Sequence, residues 1–422
     1  MKILFIDQKF DATTSGGAFK SSHGIINDLA KNPDYEIKVL ARDTKEFKKG
    51  GLIVKRINPI LRTSFKKLNS IIKFLRINQY LSLFPIIKQI KKNKPNIIVV
   101  QRDLTFAAMV AGFLKKIPVI NIIRDPMGLC PKFIDIIDGF NNCSEVMTRK
   151  KCWKCINRWR TLRVILLDKP VSFHRSLTSQ LYTIYYKILY YIIKVHFFLM
   201  KYAYVNVVAS PLMKDLALKR IKNERILIRK ITPIDNSGIT IMNEMIDKKI
   251  IEQIEKSNKI ILYIIPRNEG GSKGYPFVRL LLDKLPKDYI ILVIGTLLDD
   301  LKKYPNVINF GKIPTNNLYY LYQKARLTIV PSIYTEAFGR VILESIMNNT
   351  PVIASPQCGA NYLFKKKKYL KILPLKVNLW LEEIEDFFKK PVEIPEEDIK
   401  KIERMFSPKE CANQIIELIN KL

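Results

Sequence analysis

Leu327-Thr328-Ile329-Val330-Pro331-Ser332-Ile333-Tyr334-Thr335-Glu336-Ala337-Phe338-Gly339-Arg340-Val341-Ile342-Leu343-Glu344 is the stretch that organises the chain. Leu327 to Val330 is an apolar run that reads as a buried strand ending at Pro331. A polar loop carrying Glu336 follows, and a helix begins near Gly339. Glu344 then sits about a turn and a half inside that helix. The amides of the first helical turn can hold phosphate, and the two carboxylates can accept hydrogen bonds from hydroxyls. The combination suits a phosphate-bearing sugar ligand.

Working outward, the same strand–helix alternation recurs on both sides. Lys259–Ile265, Tyr289–Ile294, Val307–Phe310, Leu327–Val330 and Pro351–Ala354 read as strands. Tyr275–Leu285, Thr315–Ala325 and Gly339–Met347 read as helices between them. In the first half, Lys2–Asp7, Glu36–Ala41, Asn96–Gln101, Pro118–Ile123 and Tyr204–Ser210 read as strands. Helices are expected over about Ala18–Lys31 and Thr105–Lys115, and Phe65–Lys94 reads as a basic helical stretch interrupted at Pro85. Strands separated by helices imply parallel sheets covered on both faces. The expected class is α/β, with two Rossmann-like domains in tandem. The first spans residues 1–234 with an irregular, Cys-containing insertion over about 126–180. The polar stretch Asp235–Ser257 reads as the linker region, the second domain spans 235–407, and an amphipathic helix closes the chain over 408–422.

The 422 residues carry 72 Lys and Arg against 38 Asp and Glu, a net charge of +34. Such a chain is drawn to polyanions: nucleic acid, anionic lipid or phosphorylated substrates. No nucleic-acid recognition motif accompanies the charge, so nucleic acid is not an expected partner. The start, Met1 to Asp7, places an acid too early for a secretory signal core, which predicts a cytoplasmic protein. The most apolar region, Leu181 to Val208, is broken by Lys187, Lys194, His196 and Lys201 and is a poor spanning helix. Lys187, Lys194 and Lys201 lie seven apart and form one narrow stripe, drifting about 20° per heptad. The expectation is a helix buried in the first domain; a helix lying in a membrane interface is the alternative.

The second half resembles the GT-B glycosyltransferases of the family 4 type, retaining enzymes that use nucleotide-sugar donors. The resemblance rests on Pro331-Ser332, the Glu-x7-Glu pair Glu336 and Glu344, Phe338-Gly339 between them, and Thr350-Pro351-Val352-Ile353-Ala354-Ser355. Pro266-Arg267, Lys273-Gly274 and Phe310-Gly311-Lys312-Ile313 belong to the same pattern. Ser15-Gly16-Gly17 and Arg124-Asp125 extend it, more loosely, into the first half. It implies two Rossmann-like domains facing across an interdomain cleft. It also implies catalytic roles for Arg267, Lys273 and Glu336. Arg267 and Lys273 would neutralise the charge that develops on the leaving phosphate, and Glu336 would hold the donor sugar's hydroxyls. Donor binding would involve Gly16, Gly17, Ile313, Phe338, Gly339, Arg340 and Glu344, with Glu344 on the ribose. Gly16-Gly17 would let the backbone approach the donor phosphate. Arg124 stands where the family commonly has His, so that contact to the sugar is not carried over; Arg124 and Asp125 are assigned to the acceptor side. For such enzymes the resemblance implies front-face transfer, with the leaving phosphate taking the acceptor's proton. The sequence lacks an Asp-x-Asp, so no catalytic metal or cofactor is implied.

Cys130, Cys143, Cys152 and Cys155 fall in one short window, and Cys152-Trp153-Lys154-Cys155 is a CxxC. A structural zinc, reduced thiols and disulfides all fit the spacing. The basic, apolar region Arg62–Lys94 suits docking on an anionic membrane, and equally a solvated helix face. The expected protein is peripheral to the inner face of the cell membrane. Its expected partners are a nucleotide-sugar donor and a glycan or lipid-linked acceptor. Rival readings are a GT-B enzyme with a soluble acceptor and a non-catalytic polyanion- or membrane-binding relative.

Overall fold

The protein was studied as a computed structural model. The structure describes residues 1–10, 17–58, 61, 64–65, 69, 77–132, 136–138, 141–143, 146–166, 177–221, 224–234, 241–242, 246–265 and 271–422. The first sheet uses β1 (Lys2–Lys9), β2 (Glu36–Asp43), β3 (Phe47–Lys49), β4 (Leu52–Arg56), β5 (Ile97–Gln101) and β6 (Val119–Ile123). A small hairpin, β7 (Ile136–Asp138) and β8 (Asn141–Asn142), stands apart, and β9 (Val205–Val208) and β10 (Ile226–Ile228) complete the sheet. Its order is β10-β9-β6-β5-β1-β2-β4-β3, and every neighbouring pair is parallel except β3 with β4. Strand β5 reads Ile-Ile-Val-Val-Gln and is buried throughout. A strand covered on both faces needs no polar alternation.

The second sheet uses β11 (Ile260–Ile264), β12 (Ile290–Ile294), β13 (Val307–Gly311), β14 (Leu327–Val330), β15 (Val352–Ala354) and β16 (Leu370–Ile372). Its order is β13-β12-β11-β14-β15-β16, all parallel. Counted from β11 this is the 3-2-1-4-5-6 Rossmann order. The order reverses between β11 and β14, so the crevice at their carboxyl ends is where such a sheet binds ligands. The loops leaving those two strands carry Lys273 and Glu336.

Several segments differ from the sequence reading. The break in the basic helical stretch falls at Ser82, between helices Ile77–Leu81 and Leu83–Asn93, and not at Pro85. Pro85 occupies the first turn of the second helix, where a missing amide costs no helical hydrogen bond. Within the expected linker, Lys248–Lys256 is a helix capped by Asp247, whose side chain accepts from the Lys249 amide at 2.8 Å. Within the expected insertion, Arg149–Leu166 is a helix. Strands β3, β4, β10 and β16 are short or basic and left no clear apolar run.

Helix Pro408–Ile419 packs on the first-domain helix Gly17–Leu29, and Cys411, Ile415 and Leu418 join the core formed by Ile25 and Ile26. The Ile234 amide donates to the Phe406 carbonyl at 2.8 Å where the chain crosses out and back. Helix Arg340–Met347 shares this core through Ile342, Leu343 and Ile346, so one apolar body joins the two sheets' inner faces.

Candidate functional site

Gly274 sets the geometry. It caps the helix Tyr275–Leu282 at φ 87, a left-handed conformation. A Cβ there would lie 1.8 Å from the Pro331 carbonyl oxygen. Only glycine lets the loops after β11 and β14 meet backbone to backbone. The Ile333 amide donates to the Ser272 carbonyl at 2.9 Å across that contact. From below, the Tyr263 hydroxyl, on β11, donates to the Lys273 carbonyl at 3.1 Å.

This closure puts the Lys273 ammonium 2.7 Å from Glu336 Oε1, with Ser332 Oγ donating to the same oxygen. The backbone of Glu336 is pinned as well: its amide donates to the Gln357 carbonyl at 2.9 Å, and its carbonyl accepts from the Gly359 amide at 3.1 Å. Glu336 is 5% exposed. Lys273 also stands over the Tyr334 ring, 5.1 Å from its centroid. Gly339 adopts φ 92, and a Cβ on it would press within 3.2 Å of Glu336 Oε2. Burial raises the Cys358 thiol well above its usual range, with the Glu336 charge adding to the effect. Cys358 is therefore a neutral wall of the site, not a nucleophile.

The helix Arg340–Met347 starts at that glycine, and its first bonded amide is that of Ile342, to the Gly339 carbonyl. Glu344 is held by Arg340, whose Nε lies 3.1 Å from Oε1, and by the Tyr322 hydroxyl at 3.3 Å. Burial, then the Glu344 charge, holds the Tyr322 phenol well above its usual range. It stays a donor. Phe338 contributes its backbone only, because its ring is buried against Phe406 at 5.1 Å between centroids. Ile313, just beyond β13, is half-buried beside that sheet's core.

Across the cleft stands the first turn of helix Gly17–Leu29. Arg340 Nη1 donates to Ser21 Oγ at 3.3 Å and to the Pro233 carbonyl at 2.7 Å, so its side chain ties both domains and the crossover. Lys20 Nζ donates to Thr315 Oγ1 of the second domain at 3.2 Å. Burial lowers the Lys20 ammonium from its usual pKa, while the Glu344 carboxylate pulls it back up and Arg340 opposes. The sequence reading missed Lys20, Ser332 and the Arg340 side chain as cleft residues. A cation one turn into a helix that follows a Gly pair was the only available signal for Lys20.

Gly17 opens the first-domain helix; Gly16 and Arg267 lie outside the described residues. Arg124 is half-buried at the end of β6. Its Nε donates to Gln101 Oε1 at 2.8 Å, and its Nη1 donates to the Ile231 carbonyl. Burial pulls its pKa to about 10, with Asp7 pulling the other way, so it remains a cation. Gln101 in turn donates to Asp7 and to Ser22. Arg124 thus braces the crossover at Ile231. Arg124 and Asp125 also line a cavity of about 80 Å³ with Asn121 and His196.

Cys130, Cys143, Cys152 and Cys155 line one cavity of about 260 Å³ with Arg220, which donates to Cys143 Sγ at 3.0 Å. All four are free thiols, and burial pushes Cys130 up to about 12. Among the described residues no three His, Cys, Asp or Glu side chains are gathered closely enough to hold a metal ion.

Residues 247–405 match the family model described as glycosyl transferases group 1, over the domain that carries Lys273, Glu336 and Glu344. No curated protein sequence matches the chain. Among solved structures the chain is similar to HepE from Anabaena, determined in complex with UDP and glucose. The TM-score is 0.65 at 14% identity, covering 100% of both chains. It is likewise similar to sucrose-phosphate synthase from Thermosynechococcus elongatus, with TM-score 0.65 at 14% identity over 100% of this chain and 98% of that one. A third similarity is to WaaG, a glycosyltransferase involved in lipopolysaccharide biosynthesis. There the TM-score is 0.56 at 14% identity over 97% and 98% of the two chains. At such identities the likeness establishes the fold, two Rossmann-like domains in the GT-B arrangement.

Proposed function

We propose that the chain is a retaining glycosyltransferase of the family 4 type, moving a sugar from a nucleotide-diphosphate sugar to a glycan or lipid-linked acceptor. Its place would be the cytoplasmic membrane face, in the making of cell-surface polysaccharide or glycoconjugates. The group 1 match over the second domain supports glycosyl transfer, and the UDP and glucose bound by HepE support a nucleotide-sugar donor. The observation that carries the reading is the Lys273–Glu336 pair at 2.7 Å, at the switch point of a Rossmann sheet and beside a helix N-terminus.

The chemistry follows from the charges. As the bond from the anomeric carbon to the phosphate oxygen breaks, negative charge grows on the leaving diphosphate. Lys273 and the amides of Phe338, Gly339 and Arg340 would take up that charge. Arg267 would add a second cation. Glu336, fixed by Ser332 and two backbone bonds, would accept from the donor sugar's hydroxyls, and Glu344 from the ribose. The acceptor oxygen bonds to the same face of the anomeric carbon that the phosphate leaves, and its proton passes to the departing phosphate. No protein nucleophile is required; positioning and electrostatics do the work. With the pair intact, a non-catalytic relative is the weaker reading.

A structural zinc at Cys130, Cys143, Cys152 and Cys155 belongs to the same proposal. Its support is that all four thiols line one cavity, and zinc would have to draw them inward. Metal analysis of the purified protein tests it: the site predicts about one zinc per chain, and only trace zinc would remove it.

The catalytic assignment is tested with Glu336→Gln, which keeps the shape and removes the charge. Turnover should fall by about a hundredfold or more. Full activity in a folded Glu336→Gln protein would sink the assignment.

A further inference from the structure

Helix Leu177–Lys201 is apolar on more of its surface than the domain covers. One face, with Leu189, Tyr190, Ile193, Phe197 and Met200, is buried in the first domain. The other presents Ile184, Ile188, Tyr191, Val195 and Phe198, with Tyr202 just past the end, each 50–57% exposed. The steps between them are four, three, four, three and four residues, so they form a single straight stripe. It runs for about 27 Å at the helical rise. At one end it widens: the Tyr202 ring lies 5.0 Å from Phe198 and 5.5 Å from Phe113, and Phe113 and Leu114 are themselves 55% and 57% exposed. A contiguous apolar strip of this kind is a docking surface, not scattered surface apolarity.

The charges beside the stripe identify the occupant. Between Leu177 and Lys201 there is no Asp or Glu, and the helix carries Lys187, Lys194 and Lys201 along one flank. Lys115 and Lys116 follow Phe113 and Leu114 and are exposed. Such a seam on a second copy of this chain would set lysine against lysine, whereas self-pairing helices place opposite charges at those flanks. An anionic lipid surface answers both features, taking the apolar side chains among its acyl chains and the exposed Lys115 and Lys116 at its head groups. Tyr and Phe at the stripe's end suit the interfacial layer. Among the described residues no helix is long and apolar enough to cross a membrane, so the helix would lie along the surface.

The same helix walls the cavity that holds Arg124 and Asp125, through Leu189, Ile193, His196 and Met200. His196 Nε2 and Asn121 Oδ1, both in that lining, are buried without a hydrogen-bond partner among the described residues. We propose that the Ile184–Tyr202 stripe docks on an anionic phospholipid bilayer. The acceptor-side cavity then lies about one helix diameter from the lipid head groups. The assignment of that cavity to a lipid-linked acceptor rests on the glycosyltransferase reading; the docking itself does not.

Vesicle flotation with the full chain tests it, using neutral phosphatidylcholine vesicles and vesicles enriched in phosphatidylglycerol. Wild type should float with the anionic vesicles and lose most of that binding on neutral ones or in high salt. Ile188→Glu with Val195→Glu should weaken binding at least about tenfold. The nucleotide-sugar-induced rise in Tm, measured on the same preparations, should be unchanged, because neither position touches the cleft. If the pair fails to fold, Tyr191→Ser with Phe198→Ser replaces it. The proposal is overturned if wild type ignores anionic vesicles, or if both variants bind as well as wild type. It is equally overturned if wild type is a dimer by light scattering that the substitutions disperse, with no vesicle binding. Vesicle binding without any nucleotide-sugar response would instead remove the enzymatic reading and leave the docking surface standing.

Discussion

Lys273 and Glu336 neutralise each other in a largely dry pocket, with side chains 15% and 6% exposed. Removing one partner leaves the other charge buried, a cost of about 3–5 kcal/mol. Lys273→Ala and Glu336→Gln therefore both combine lost activity with lost stability, and turnover in either is read on the fraction that stays folded. The residue that makes the pair possible is Gly274. Gly274→Ala costs about 1–3 kcal/mol from the left-handed backbone alone, before the clash with Pro331. It should lower Tm and abolish the site together, read by thermal unfolding alongside turnover. A Gly274→Ala protein with wild-type Tm would mean that the two loops do not meet as described. Glu336 and Glu344 stood out by their places in the loop and opening turns of a helix after a strand, and Lys273 by the resemblance to the family 4 pattern. The sequence reading missed Ser332 and Cys358 as their supports, since a Ser after Pro and a distant Cys carry no periodic signal. Arg124 was placed at the acceptor; its guanidinium is spent on Gln101 and the Ile231 carbonyl.

At the scale of elements, strands buried on both faces were legible because they are unbroken apolar runs. The helix Leu177–Lys201 shows why its environment was not. An apolar helix with one narrow lysine stripe normally implies burial, and periodicity cannot distinguish a face covered by protein from one left open. His196 on that helix gives the element a pH signature. Burial depresses its pKa from 6.5 to about 4. Between those values the unfolded chain binds a proton that the folded chain refuses. The stabilisation is therefore complete above about pH 6.5 and is lost as pH falls toward about 4, a loss of about 3 kcal/mol. Tm should fall from neutral to mildly acidic pH more steeply in wild type than in His196→Leu. Parallel profiles would show that His196 is not buried neutral.

At the scale of the molecule, two sheets meet over a shared core, and the C-terminal helix returns to the first domain. Lys20 to Thr315 and Arg340 to Ser21 join the two domains at the cleft's rim. The alternation of strands and helices announced both domains, but contacts between residues some 300 positions apart leave no local pattern to read. The proposed reaction requires this cleft to hold a nucleotide-diphosphate sugar through groups from both domains. Thermal unfolding with a panel of uridine, guanosine and adenosine diphosphate sugars tests it most directly, on wild type and on Glu344→Ala. A cognate donor at a hundredfold excess over its Kd should add about 2.7 kcal/mol, a rise in Tm of about 3 °C for a chain of this length, and Glu344→Ala should lose most of it. No rise with any donor, or an equal rise in Glu344→Ala, would contradict the account.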